Sequence, residues 1–188
     1  MLLPSSLIII SVLVAGCSRE EVPPEYEPSE SHQSYREALA GMDLNETGAG
    51  QDWLQAANEA LRSPVPVLTP FREEVFLPPR SVEAAAFSFR AARGQRVEIN
   101  IETAVERYFA DVYRIADGMT AERREEPELV ASASGQGRVT FTPRRDGRYL
   151  LRIQPELLRG GRFVVNIVAR AAYAWPVPGT DTDDIWSV

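Results

Sequence analysis

Lysine is absent from this 188-residue chain: all twenty basic residues are arginine, a choice that reads as genomic base composition of a GC-rich bacterium and carries no chemical message. Cysteine and histidine each occur once, as Cys17 and His32. One cysteine excludes an internal disulfide, and one histidine excludes His-rich zinc constellations, so stability must come from packing. No apolar run is long enough to span a bilayer as a helix, which takes about 20 residues. The longest, Leu7 to Ala15, has nine. Neither Arg nor Lys precedes it, so the positive end of a leader is reduced to the amino terminus. Surplus positive charge is lacking too. With 27 acids the net charge is −7, which disfavours a nucleic-acid partner.

The apolar run is followed by Val14-Ala15-Gly16-Cys17, small residues leading directly to the only thiol. This resembles the processing site of bacterial lipoproteins. The resemblance implies cleavage before Cys17, with Val14, Ala15 and Gly16 recognised by the signal peptidase and the Cys17 thiol carrying a diacylglyceryl group. An ordinary secretory leader with an incidental cysteine is the alternative. Each buried acyl methylene contributes about 0.8 kcal/mol, so two or more chains anchor a protein stably without a transmembrane helix. Ser18 after the cysteine resembles the enterobacterial pattern for outer-membrane sorting. The expected location is the cell envelope, lipid-anchored.

Between Ser18 and Ala60 ten acids face only Arg19 and Arg36, a local net charge of −8. Such a stretch is repelled by an anionic surface and reads as solvated. Its first part, residues 17–31, is rich in Glu, Pro and Ser and too poor in apolar side chains to offset ordering, so it is expected to be a disordered acidic tether. Over residues 32–66, Tyr35, Leu39 and Met42 recur at helical spacing. After a break at Asn45 to Gly50, so do Trp53, Leu54, Ala57 and Leu61. This predicts a short helical hairpin ended by Pro64 and Pro66.

From residue 67 to 172 the apolar period becomes two: Phe87 and Phe89; Val97, Ile99 and Ile101; Val139 and Phe141; Tyr149, Leu151 and Ile153; Phe163, Val165 and Ile167. Turn signals at Arg93-Gly94, Ser134-Gly135, Asp146-Gly147 and Gly160-Gly161 separate them. With Phe71 to Leu77, Tyr108 to Ile115 and Glu128 to Ala133 the count is about eight strands. The expected fold is mainly β, an antiparallel jelly-roll-like β-sandwich of half-buried strands with Arg, Glu and Thr on its outer faces.

Three segments, Phe87 to Ile99, Phe109 to Tyr113 and Val139 to Ile153 with its Gly147-x-Tyr149-x-Leu151-x-Ile153 pattern, resemble the bacterial pre-peptidase C-terminal domain. That family is a jelly-roll-like sandwich appended to secreted peptidases, which implies a non-catalytic role. Some relatives bind calcium, but the matching segments hold no dense acidic loop, and Asp111 alone reads as a structural hydrogen-bonding residue. Residues 117–127 read as a loop insertion.

In residues 173–188, Pro176-Val177-Pro178-Gly179 followed by Ile185-Trp186-Ser187-Val188 resembles the start of a lysostaphin-like (LytM-type) murein zinc endopeptidase domain, whose metal-binding His and Asp residues are not in this chain. A plain tail is the alternative. Asp181, Asp183 and Asp184 cluster, but the sequence lacks EF-hand spacing and reads as a solvated turn. A hydrolase built on His32 with a serine would need a third group to orient the ring, and His32 is more simply an exposed residue at a helix start. The expectation is therefore no enzyme, no cofactor and no catalytic residue in this chain: an accessory region of a murein metallopeptidase-type protein, cut before the catalytic part. Its partners would be the membrane through Cys17, and peptidoglycan or a peptidase domain. The alternative is a stand-alone sandwich that binds envelope glycan or a protein.

Overall fold

In the computed structural model the described residues are 26–115, 127–134 and 137–171. Cys17 with Val14, Ala15 and Gly16, the 117–127 insertion save its last residue, and the 173–188 segment with Asp181, Asp183 and Asp184 lie outside them.

The described residues begin with two helices, α1 (Glu30–Gly41) and α2 (Gly48–Arg62), joined through a 3-10 turn at Leu44–Glu46. Thr47 caps α2 by accepting the Gly50 amide at 3.1 Å. Gly50 is required there: a Cβ would stand 1.9 Å from the Leu44 carbonyl oxygen. Nine strands follow among the described residues: β1 (Val65–Pro66), β2 (Phe71–Leu77), β3 (Ala85–Ala91), β4 (Gln95–Thr103), β5 (Tyr108–Ile115), β6 (Glu128–Ser134), β7 (Arg138–Phe141), β8 (Gly147–Pro155) and β9 (Gly161–Ala171). They form a five-stranded sheet, β1-β3-β8-β5-β6, and a four-stranded sheet, β2-β9-β4-β7. Every pairing is antiparallel except the two-residue parallel contact of β1 with β3. This is the expected β-sandwich with its helical pair, plus the short β1.

The inner faces carry the period-two residues. Phe87, Phe89, Tyr149, Leu151, Ile153 and Val112 from one sheet pack on Val97, Ile99, Phe163, Val165 and Ile167 from the other. Each such burial contributes about 1.5–3 kcal/mol.

Half-burial holds for β4 and β9 but not for β5 and β8, which are buried on both faces apart from single residues. The helices are the cause. Leu39, Trp53 and Phe109 form one apolar cluster over the outer face of the five-stranded sheet, and Tyr26, Leu61, Ala86, Tyr113 and Leu150 form another. Among the described residues no helix covers the outer face of the four-stranded sheet, which carries a polar row, Arg72-Asn166-Asn100-Arg138, one residue per strand.

Three local expectations are corrected. The tether assigned to residues 17–31 does not reach 31: Ser29 is buried, Tyr26 meets the Tyr113 ring edge-on at 5.2 Å, and α1 starts at Glu30. The Tyr26 ring and the buried Ser29 together hold an otherwise polar segment against the sheet. Of the three expected apolar positions Leu39 is buried and Tyr35 half-buried, but Met42 lies past the end of α1 and is exposed, and His32 is buried in its stead. Arg152 sits on a covered outer face and not in solvent.

Candidate functional sites

The covered face of the five-stranded sheet holds the buried ion cluster. Asp111 projects outward from β5 and Arg152 from β8, opposite each other in the ladder. The α1 helix brings His32 over both, and the three side chains are at most 3% exposed. Arg152 Nη2 donates to Asp111 Oδ2 at 2.5 Å and to Tyr113 Oη at 2.9 Å. Both Nη2 hydrogens are then spent, so its 2.9 Å approach to His32 Nδ1 is a contact and not a hydrogen bond. The proton on His32 belongs on Nδ1, which donates to Asp111 Oδ2 at 2.9 Å. The ring is stacked on Phe109, 4.6 Å between centroids, and meets Trp53 edge-on at 5.3 Å.

The electrostatics follow from this geometry. Burial pushes the His32 pKa down, against the hydrogen bond to Asp111, and Arg152 pushes it further down. Burial alone would raise Asp111, but the His32 hydrogen bond and the Arg152 charge outweigh it and hold the carboxyl at about 2. Burial raises the Tyr113 hydroxyl well above its usual range, so it stays a neutral donor and acceptor.

His32 is thus not the exposed helix-start residue expected from the sequence. It is oriented by a third group, as a catalytic histidine would be, yet its Nε2 meets no hydrogen-bonding partner among the described residues and is sealed under aromatic rings. A cavity of about 20 Å3 lies beside it, lined by Tyr26, Arg36, Trp53, Asn58 and Arg152 among others. That is room for about one water and too little for a substrate. What the cluster does is clamp a helix to a sheet. Asp111 is structural, as the sequence suggested, though charge-paired. The same clamp uses Trp53, whose Nε1–H donates to the Pro155 carbonyl at 2.8 Å, while Gln154 Nε2 donates back to the Trp53 carbonyl at 2.7 Å.

A second site lies at one end of the sandwich. The β4–β5 loop and the β8–β9 turn bound a groove of about 780 Å3 whose lining includes Glu102, Val105, Glu106, Arg107, Glu156 and Arg159. Sequence reading singled out none of these residues. Apart from Glu102 at the end of β4 and the apolar Val105, they are charged loop positions, which only the approach of two distant segments makes into a concave surface.

No family model matches the chain, and no curated protein matches it. Solved structures that resemble it include PliG of Salmonella Typhimurium, a periplasmic lysozyme inhibitor of g-type lysozyme, at 17% identity and a TM-score of 0.36, covering 57% of this chain and 100% of that one. The surface-associated copper-binding protein CorA of Methylomicrobium album BG8 aligns at 9% identity and 0.42, over 56% of this chain and 98% of that one. The pre-peptidase C-terminal domain of a collagenase from Bacillus anthracis aligns at 9% identity and 0.41, over 56% and 94%. At these levels no activity or ligand is carried across to this chain.

Among the described residues no group of three or more His, Cys, Asp and Glu side chains is arranged to hold a metal, and no helix is long and apolar enough to cross a membrane. A third concavity, about 600 Å3, lies at the β6–β7 side near Arg114, Glu128, Thr142, Arg144 and Tyr149. Its Arg114 donates to Glu128 at 3.1 Å.

Proposed function

We propose that the protein is a lipid-anchored envelope lipoprotein whose sandwich is a non-catalytic module, positioning a murein peptidase or holding envelope polymer. The observation that carries the non-catalytic part is the burial of the sole histidine in an ion cluster that fastens the helical pair to the sheet. A proton carrier needs to reach the reacting atom within hydrogen-bond distance, and this ring is spent on packing. The anchoring part rests on Leu13-Val14-Ala15-Gly16-Cys17 following a nine-residue apolar run. The pre-peptidase-like segments support an accessory role beside a peptidase, and the end groove favours the second reading, a self-sufficient module that binds glycan or protein.

Two measurements test this. The Cys17→Ser variant should lose incorporation of labelled fatty acid and move from the membrane to the soluble fraction; unchanged membrane recovery would remove the lipoprotein reading. A zinc-supplemented cell-wall hydrolysis assay on the full chain should show no activity, and activity abolished by His32→Gln would overturn the non-catalytic assignment.

A further inference from the structure

The groove between the β4–β5 loop and the β8–β9 turn has the size and the charge pattern of a ligand site. Its volume of about 780 Å3 falls in the range of roughly 300–1,000 Å3 common for bound small molecules and short peptides. Most of its charged side chains are already paired: Arg107 with Glu156 at 3.3 Å, Arg162 with Glu74 at 3.4 Å, and Glu102 with Arg72 at 3.7 Å. Two are left over. The side chains of Arg159 and Glu106 are exposed and have no hydrogen bond or ion pair among the described residues. One charge of each sign therefore awaits a partner in a single concavity.

Both walls are held in place before any ligand arrives. On one side Thr103 Oγ1 donates to the Arg162 carbonyl at 2.7 Å and accepts from the Val105 amide at 3.1 Å. On the other, the Leu157 amide donates to the Tyr35 hydroxyl at 3.0 Å, which ties the turn to α1. The Arg159 amide closes that turn on the Glu156 carbonyl at 2.9 Å. The closure sets Leu158 at φ 61°, a left-handed conformation uncommon outside glycine, with its side chain 48% exposed. Such strain persists only where surrounding bonds enforce it. At the floor, a Cβ on Gly160 would stand 2.3 Å from the Leu77 carbonyl oxygen and one on Gly161 2.8 Å from Val105 Cγ2, so the corner packs closely and is held in one shape.

We propose that this groove binds a short peptide that bears both a free carboxylate and an ammonium group, with Arg159 taking the carboxylate and Glu106 the ammonium. A ligand of one sign would satisfy one of the two and repel the other, so the pair selects a zwitterion. Half-buried Val105 and Val164 in the lining supply apolar contact for small aliphatic side chains. The inference deepens the polymer-contact reading and rests on it, since envelope polymer carries short peptides. The peptide can come free, or attached to glycan where a side-chain amine supplies the ammonium.

The probe is trialanine with free termini, titrated into the 15N-labelled full chain, beside N-acetyl-trialanine amide and a disaccharide-linked peptide that keeps a free carboxylate and a side-chain amine. Shifts confined to residues 102–107 and 156–164, lost with the blocked peptide, are expected. Arg159→Gln and Glu106→Gln should each weaken binding about tenfold, a charge-assisted hydrogen bond's worth. Both residues are exposed, so the variants keep the wild-type spectrum elsewhere. Equal binding of the blocked peptide, or no effect of either substitution, would overturn the inference. Tighter binding of the disaccharide-linked form assigns the source to glycan-borne peptide, and equal affinity assigns it to free peptide. Cosedimentation with purified cell-wall sacculi separates the two levels. Retention by both variants at wild-type strength removes the groove but keeps the polymer reading, and no cosedimentation of the wild type removes that reading.

Discussion

His32 Nδ1 lies 2.9 Å from Asp111 Oδ2 although 79 residues separate them in the chain. That bond joins the first helix to the middle of the five-stranded sheet, and Arg152 completes it from the neighbouring strand. Removing the carboxylate leaves a guanidinium buried without a counter-charge, which costs about 3–5 kcal/mol. Asp111→Ala is therefore expected to lower the unfolding free energy in urea by about that amount. A loss below about 1 kcal/mol would mean that Asp111 and Arg152 are solvated.

Stability should fall on acidification in two steps. The folded pKa of His32 lies below its ordinary value of 6.5, so as pH drops through that value the unfolded chain takes up a proton before the native one does. More protons bound in the unfolded state means a stability that rises with pH, so this contribution is complete above about 6.5 and is lost below it. Asp111 acts in the same direction lower down, between its ordinary 3.8 and about 2, and carries about 2 kcal/mol. Urea midpoints measured from pH 8 to pH 3 should show the first decline in the native protein and not in His32→Gln. As His32 is the only histidine, an unchanged decline in that variant would refute the assignment.

The strand register has its own check. Phe87 is 4% exposed against the other sheet and Phe76 is 62% exposed. Phe87→Ala should cost about 3–5 kcal/mol, and Phe76→Ala should stay within about 0.5 kcal/mol. A one-residue slip of either strand would exchange faces, so similar losses at both would show the register to be wrong.

Period two made five of the strands legible, because inward residues such as Val97, Ile99 and Ile101 alternate with charged neighbours that face water, and three further segments completed the eight. The same rule misread β8. Arg152 and Gln154 alternate with Tyr149, Leu151 and Ile153 and look solvent-facing, but alternation cannot distinguish a face open to water from one covered by helices. A cue was available in β5. Tyr108-Phe109-Ala110-Asp111-Val112-Tyr113 is apolar on both faces apart from Asp111, the mark of a strand covered on both sides. A lone carboxylate there requires a cationic partner. Which arginine and which histidine supply it is a matter of contacts over 41 and 79 residues, for which a local pattern holds no information. The groove was illegible for the same reason: Glu106 and Arg159 come to line one concavity only when two loops close on each other.

Trp53 decides whether the helical pair is part of the folding unit or a removable cover. It is 1% exposed, stands among His32, Tyr35 and Phe109, and its indole N–H donates to Pro155 at the end of β8. Trp53→Phe keeps an aromatic ring but leaves a buried carbonyl unpaired, at a cost of about 1–3 kcal/mol. Trp53→Ala also empties the space between helix and sheet and should cost about 3–5 kcal/mol. The sandwich core between the sheets does not include Trp53, so the loss should be local. Amide hydrogen exchange of the alanine variant should speed up over residues 30–62 and at Pro155's neighbour Gln154, while Val97, Ile99 and Ile167 keep their protection. Loss of protection throughout would show instead that the sandwich cannot stand without its helices. The apolar residues on its covered face, Phe109, Tyr113 and Leu150, would then be the reason, since uncovering them exposes a second apolar surface to water.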